Sequence, residues 1–338
     1  MKKKLLALMA LPIVAGLTAC TTSSFRPIPP EEAATVTIGI LQPVEHPALE
    51  AARNGFVAGI QEGGYAAAHF SYRNAAGNSA DLTLLAKDLA DTCTISLGIG
   101  TDAALALKGA EDNAGYKKPL FFTAVTDPVA AKLVSSKENK KGYVCGTTDA
   151  NPVEEQIALI KEFKPDAKKV GIMYTQTEVN SKVQSDQAEA AIKKAGMGAL
   201  IKTCSNSSDI KATALALVDA GCDAIYVPTD NNIAANMNAV KEAASHREVL
   251  IVCGEENMLT KGGHVTLSID YYNLGLATGR MAVSVLKGEK KVTDFPVVPV
   301  ASSECSYVYS SLNLTSAGLS MPDSLLAAHD WTNIDDAE

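Results

Sequence analysis

At 338 residues, with 47% hydrophobic residues and a formal net charge of −8, the chain has material for more than one packed core. Its acidic balance, with Lys and Arg interspersed among Asp and Glu, excludes nucleic acid as a partner, because phosphate binding needs a positive footprint. The most apolar run, residues 5–17, is too short to serve as a permanent membrane span.

Lys2 to Lys4 precede that run, and Leu17-Thr18-Ala19-Cys20 closes it. Small residues leading into a cysteine resemble the lipobox of bacterial lipoproteins, whose cysteine is lipidated and becomes the mature N-terminus. The expectation is a signal peptide over residues 1–19 and lipidation at Cys20. The protein would then be exported and held at the outer face of the cell membrane or in the periplasm. Loss of the three lysines takes the net charge from −8 to −11. Residues 20–35, polar and Pro-rich, read as a flexible tether.

From Val36 onward the pattern is βα. VTIGILQ, CTISLGI, PLFFTAV, KVGIMYT, CDAIYVP and VLIVCGE are short, apolar, β-rich runs. Amphipathic stretches separate them, as in ALEAARNGFVAGIQEGG, where Leu49, Ala52, Phe56, Val57 and Ile60 share a face. Apolar strands alternating with such helices predict an α/β fold with parallel sheets covered on both faces. The pattern also repeats at an offset near 130 residues: TCTISLGIGTDAALA aligns with GCDAIYVPTDNNIAA, and PLFFTAVTD with VLIVCGEEN. Two doubly wound, Rossmann-like lobes follow. HVTLSIDYYNLGLATGRMAVSVLKG and a last strand in SECSYVYSSLNL would add crossings to a hinge. The expected division is 36–147 plus 268–295 for lobe one and 148–267 plus 296–338 for lobe two. Six cysteines follow Cys20. Cys93 and Cys222 precede strand-like runs while Cys145, Cys204 and Cys253 follow them, so opposite sheet edges keep most of them unbridged.

In open parallel sheets, ligands bind beyond the carboxyl ends of the strands. Lobe one presents Gln42 with Glu45 and His46, then Thr101-Asp102, then Thr126-Asp127. Lobe two presents Gln176 to Ser181, Thr229 to Asn232 and Glu255-Glu256-Asn257, and the hinge adds Asp270 and Tyr271. Helix capping accounts for any one of these. It does not require TDNN or GEEN in full, and the surplus predicts a polar cleft, with Asp230→Ala expected to abolish binding and spare the fold. Three sharper chemistries fit less well. Gly98-Ile-Gly100-Thr-Asp-Ala103 matches the dinucleotide pattern GxGxxA, but its counterpart VPTDNN lacks glycine. Cys253 has no histidine at the same strand edge, and no nucleophile elbow occurs. Glu255, Glu256 and Asp270 lack a hard-cation loop, so no metal or cofactor is implied.

The segments LQPVEHPALEAARNGF, FFTAVTDPVAAKLV, PVEEQIALIKEFKPDAKKVGIMY, NSKVQ, DAIYVPTDNN and SIDYYNLGLATGRMAVSVLKG together resemble the ABC-transporter solute-binding lipoproteins, in the branch with tryptophan- and tyrosine-binding members. The resemblance covers Val36 to Leu319 and implies a type I periplasmic-binding-protein architecture with a multi-crossover hinge. It also implies an amino-acid-like solute held between lobes, with an ABC permease and its ATPase as partners and no catalysis. Carried over by position, Gln42, Thr101, Thr126, Asn180, Ser181, Thr229, Asp230, Glu255 and Asp270 would line the site, joined by Asn231 and Tyr271 from the strand-end survey. Where the family pattern has Asp in a GDTDS-like segment, this chain has Glu255 in GEENM, which moves the carboxylate by about one bond length. Two alternatives stay open: a ligand-sensing lipoprotein that signals to a membrane receptor, and a Rossmann-type enzyme.

Overall fold

The structure, a computed structural model, describes residues 25–297, 302–322 and 331–333. The signal segment and Cys20 lie outside them. Lobe one opens with β1 (Thr37–Gln42), α1 (Pro47–Ile60), β2 (His69–Asn74), α2 (Ser79–Thr92), β3 (Ile95–Ile99), α3 (Thr101–Ala114), β4 (Leu120–Thr123) and β5 (Val144–Gly146). Lobe two follows with α4 (Val153–Phe163), β6 (Lys169–Thr175), α5 (Val179–Lys194), β7 (Gly198–Cys204), α6 (Ile210–Asp219), β8 (Ala224–Val227), α7 (Asn231–Ala235), α8 (Met237–Ala244), β9 (Leu250–Cys253) and β10 (Val265–Ser268). The chain then runs through α9 (Tyr271–Leu286), β11 (Ser306–Tyr309), α10 (Ser311–Ser316) and β12 (Trp331–Asn333).

The first sheet, order β2-β1-β3-β4-β5, is parallel throughout. The second begins β7-β6-β8-β9-β10, the same order strand for strand, and β11 adds to it antiparallel. The 130-residue sequence repeat is therefore a repeat of topology. The central strands are buried along their length, Thr37 at the start of β1 excepted, as helices on both faces require, and their apolar runs made them legible. Edge strands β2 and β7 are partly exposed and carry polar residues such as HFSYRN, so they escape the apolar pattern.

The chain passes between the lobes at 147–152, at 269–270 and again between α9 and β11. After β10, in the second sheet, α9 returns to lobe one and packs against α1. Glycines on both helices allow backbone contact there: a Cβ on Gly275 would lie 1.9 Å from the Ala52 carbonyl oxygen, and one on Gly55 equally close to that of Tyr272.

Three local expectations change. Residues 25–35 pack on lobe one rather than forming a tether. Phe25 and Ile28 lie against its core, the Ile28 N–H donates to Leu286 O (2.8 Å), and Tyr65 OH donates to Ile28 O (2.6 Å). SECSYVYSSLNL is strand only over Ser306–Tyr309; Ser310 caps α10 by accepting from Asn313 N–H, which turns the residues after it into helix. Cys145 sits inside β5 instead of following a strand, and it is a free, buried thiol like Cys93, Cys204, Cys222 and Cys253. Among the described residues no helix is long and apolar enough to cross a membrane.

Candidate functional site

The carboxyl ends of both sheets face one another across a narrow cleft. Lobe one contributes His46, Leu49, Ala124 and Tyr271; the first crossover contributes Asp149; lobe two contributes Asn180, Thr229, Asp230, Asn231, Ala234, Glu255 and Met258. The cavity between them is about 10 Å3, room for about one water. Two hydrogen bonds span the gap. His46 Nε2 donates to Asn231 Oδ1 (3.2 Å), and the hydroxyls of Thr126 and Thr229 meet at 3.3 Å. The lobes are thus closed on each other.

Asp230 stands where β8 gives way to α7. One oxygen accepts from Ile233 N–H (2.9 Å) and Thr175 OH (2.8 Å); the other accepts from Thr175 N–H (2.6 Å). It caps α7 and ties the β8 joint to the end of β6. Glu178, at the start of α5, accepts from the N–H groups of Asn231 and Asn232 (both 3.0 Å) and from both Asn231 Nδ2 and Asn180 Nδ2. A carboxylate on two free N–H groups of a helix start is favourable. Burial, then the neighbouring Asp230, still pushes Glu178 well above the usual carboxylate range.

Asp149 accepts from Thr126 OH (2.9 Å) and Tyr271 OH (2.8 Å), and burial raises its pKa. Glu255 uses one oxygen to accept from Asn257 N–H (2.6 Å), while its other oxygen is buried without a partner. Burial pushes Glu255 up to about 8. Burial lowers His46 to about 4, so it is neutral; with Nε2 donating, its Nδ1 is an acceptor, also unpartnered. Asn180 Oδ1 is the third unpartnered buried acceptor in the lining. The lining holds Asp149, Asp230 and Glu255 and includes no Lys or Arg.

Of the residues anticipated from sequence, Asn180, Thr229, Asp230, Asn231, Glu255 and Tyr271 come together in the lining. Thr126 stands behind it, bonded to Asp149, and Ser181 is buried beside it, its hydroxyl oxygen accepting from Asn180 Nδ2 (3.3 Å). Thr101, in the first turn of α3, has a buried hydroxyl without a partner. Gly100 before it lies near Asn231 across the gap: a Cβ there would be 3.9 Å from the Asn231 side chain. Gln42 is spent inside lobe one, donating to Val44 O and accepting from Tyr72 OH. Asp270 is exposed and caps α9 by accepting from Asn273 N–H and Nδ2, away from the lining.

Sequence reasoning took His46 and Glu178 only as members of strand-end runs, and missed Asp149. The last follows β5, a strand of three residues, too short to register as an apolar run. The glycine motif has a packing cause: a Cβ on Gly98 would lie 2.5 Å from Ala104 Cα, and Gly100 has φ +84°. Cys253 is buried at the end of β9, with its thiol pushed well up by burial. Among the described residues, no three His, Cys, Asp or Glu side chains gather as a metal site needs.

Residues 37–331 match the family described as ABC transporter substrate binding protein. A tyrosine-binding protein of Clostridioides difficile (strain R20291) is 36% identical over 271 residues, which is 79% of this chain and 77% of that one. An ABC domain from Streptococcus pneumonia, solved in complex with L-Trp, is 31% identical, with 88% of this chain and 99% of that one covered and a TM-score of 0.81. A ligand-free, open substrate binding protein with adhesive properties from Clostridium difficile is 33% identical at the same coverage, with a TM-score of 0.65. The twin lobes have the type I periplasmic-binding-protein architecture. By fold, by cleft and by sequence over most of its length, the chain belongs to the ABC transporter substrate-binding protein family.

Proposed function

We propose that this chain captures a small zwitterionic solute, an aromatic amino acid foremost, between lobes that close on it, and delivers it to an ABC import permease driven by an ATPase. The observation that carries the reading is the lining: three buried acids, three unpartnered acceptors and no Lys or Arg. Such a set calls for a donor with positive charge, and an ammonium group supplies both through charge-assisted bonds. Leu49, Ala124, Ala234, Met258 and the ring of Tyr271 form the apolar part of the wall, suited to a solute side chain. Lobe one offers the complementary end: α3 begins at Gly100 without a side-chain cap, and its first-turn N–H groups with the Thr101 hydroxyl suit a carboxylate.

The relatives support the same class, one being named for tyrosine and another solved with L-Trp. Closure is supported by the two bonds across the gap and by the likeness in lobe arrangement to the Trp complex over the open, ligand-free relative, at similar identity. With so little space inside, the solute enters only when the lobes part, and it favours closure by contacting both. Anchoring by lipid at Cys20, in keeping with the leader pattern, would hold the receptor near its permease. Titration calorimetry with L-Trp, L-Tyr and L-Phe tests the reading. One-to-one binding with a raised melting temperature is expected; no heat and no thermal shift with any amino acid of a full panel would refute it.

A further inference from the structure

The amino ends of the lobe-one strands form the face opposite the cleft, and a groove of about 650 Å3 opens there. Phe25, Tyr143, Val285 and Val292 give it apolar walls, and Lys117, Lys290 and Lys291 are exposed along it. Its one lining acid, Asp112, is already engaged, by Lys108 (2.5 Å) and the Tyr143 hydroxyl (2.6 Å). On a chain of net charge −8, three lysines converging on an apolar groove form a local reversal of sign. The position of the N-terminal segment indicates what covers it. Phe25 forms part of the wall, the bonds through Ile28 fix that segment to the base of the lobe, and Cys20 is five residues upstream. Five residues span at most about 18 Å.

We infer that this groove is a lipid-docking surface, in which the three lysines meet anionic phospholipid headgroups while the apolar walls rest at the headgroup–acyl boundary. The inference rests on the proposed anchoring at Cys20 for its occupant: a lipidated N-terminus brings this face within about 18 Å of the bilayer. Lysines reach headgroups on long apolar stems, and anionic lipid attracts clustered basic residues near its surface. Because the cleft lies at the other end of the strands, docking holds it a lobe's depth from the bilayer, and handing over solute to a membrane permease requires release from the lipid.

The test uses the chain with a hexahistidine replacing residues 1–20, held on vesicles containing a nickel-chelating lipid, so that its outcome does not depend on lipidation. An environment-sensitive dye is placed by Thr293→Cys, on the groove, or by Ser208→Cys, on lobe two, each in a Cys305→Ser background. Dye at 293 should shift to the blue on vesicles of phosphatidylcholine with added phosphatidylglycerol. It should not shift on phosphatidylcholine alone, and dye at 208 should not respond to either. High salt, or the triple substitution Lys117→Glu, Lys290→Glu and Lys291→Glu, should abolish the shift. Equal emission on both vesicle types, or a shift that survives the triple substitution, overturns the inference. Mass spectrometry of the chain from expressing cells separately tests the anchor: absence of lipid on Cys20 would sink the anchoring reading and leave the groove to be judged by the vesicles.

Discussion

The joint between β8 and α7 and its repeat counterpart between β3 and α3 occupy the same place in the two lobes, yet they are finished in opposite ways. In lobe two, Asp230 caps the helix while Glu178 takes the next two N–H groups, so every free donor of the turn has a buried acid. In lobe one, Gly100 caps nothing and the Thr101 hydroxyl is unpartnered. One joint is saturated from within; the other is bare of any side-chain cap although its first turn carries Asp102, and Gly100 faces Asn231 across the gap. On the proposed function, the same strand–helix turn would serve as structure in one lobe and as a receptor for charge in the other. Substitutions at the two joints should separate stability from affinity.

The largest effect is expected at the saturated joint. Asp230→Ala leaves Thr175 N–H, Thr175 OH and Ile233 N–H without their acceptor inside the protein. Losing a cap and stranding buried donors should cost about 3 kcal/mol, measured by chemical denaturation without solute. This revises the expectation, natural from TDNN alone, that the fold would be indifferent. A wild-type denaturation midpoint would mean that the acid serves the cleft alone.

Glu255→Gln should behave differently. With a pKa of about 8 the side chain is mostly protonated in the unliganded protein at neutral pH, so an isosteric amide should leave stability nearly unchanged. Affinity for an amino acid should fall about 30-fold, or about 2 kcal/mol, because the charge that meets the ammonium is gone. The wild-type protein should show the linked pH effects. Between the ordinary value of 4.5 and about 8, the folded chain holds a proton on Glu255 that the unfolded chain has lost. This site therefore contributes stability that is fully present below 4.5 and falls as pH rises to 8. Ammonium binding expels that proton, so affinity should climb with pH over the same range, by up to about tenfold per unit, and level off above it. Calorimetry across that range should give this slope in wild type and a flat line in Glu255→Gln.

The twin-lobe fold was legible because buried parallel strands must be apolar throughout and because the repeat kept its offset. What was not legible follows from the same physics. The edge strands β2 and β7 have one side in water and lose the apolar signature. Asp149 acquires its place only when a crossover brings it against Tyr271 and Thr126, which is a matter of tertiary contact. Strand ends did locate the cleft, since the fold delivers them there whatever their side chains do. They could not tell Asp230, a cap that also lines the cavity, from Asp270, a cap that does not. Both are an Asp directly before a helix, and only the position of the helix relative to the other lobe divides them.

The smallest expected effect gives the sharpest test of the bare joint. Thr101→Val keeps the shape of the side chain and removes a hydroxyl that is buried without a partner. Removing an unsatisfied polar group while preserving packing should leave stability unchanged or slightly raised. If that hydroxyl and the adjacent helix N–H groups receive a solute carboxylate, the substitution should weaken binding about tenfold, or about 1.4 kcal/mol. An amino acid amide, which lacks the carboxylate charge, should bind weakly to both forms and hardly distinguish them. Equal affinity of wild type and Thr101→Val for the free amino acid would place the carboxylate elsewhere. A drop in stability instead would make Thr101 a structural residue like Asp230 across the cleft, and the contrast between the joints would disappear.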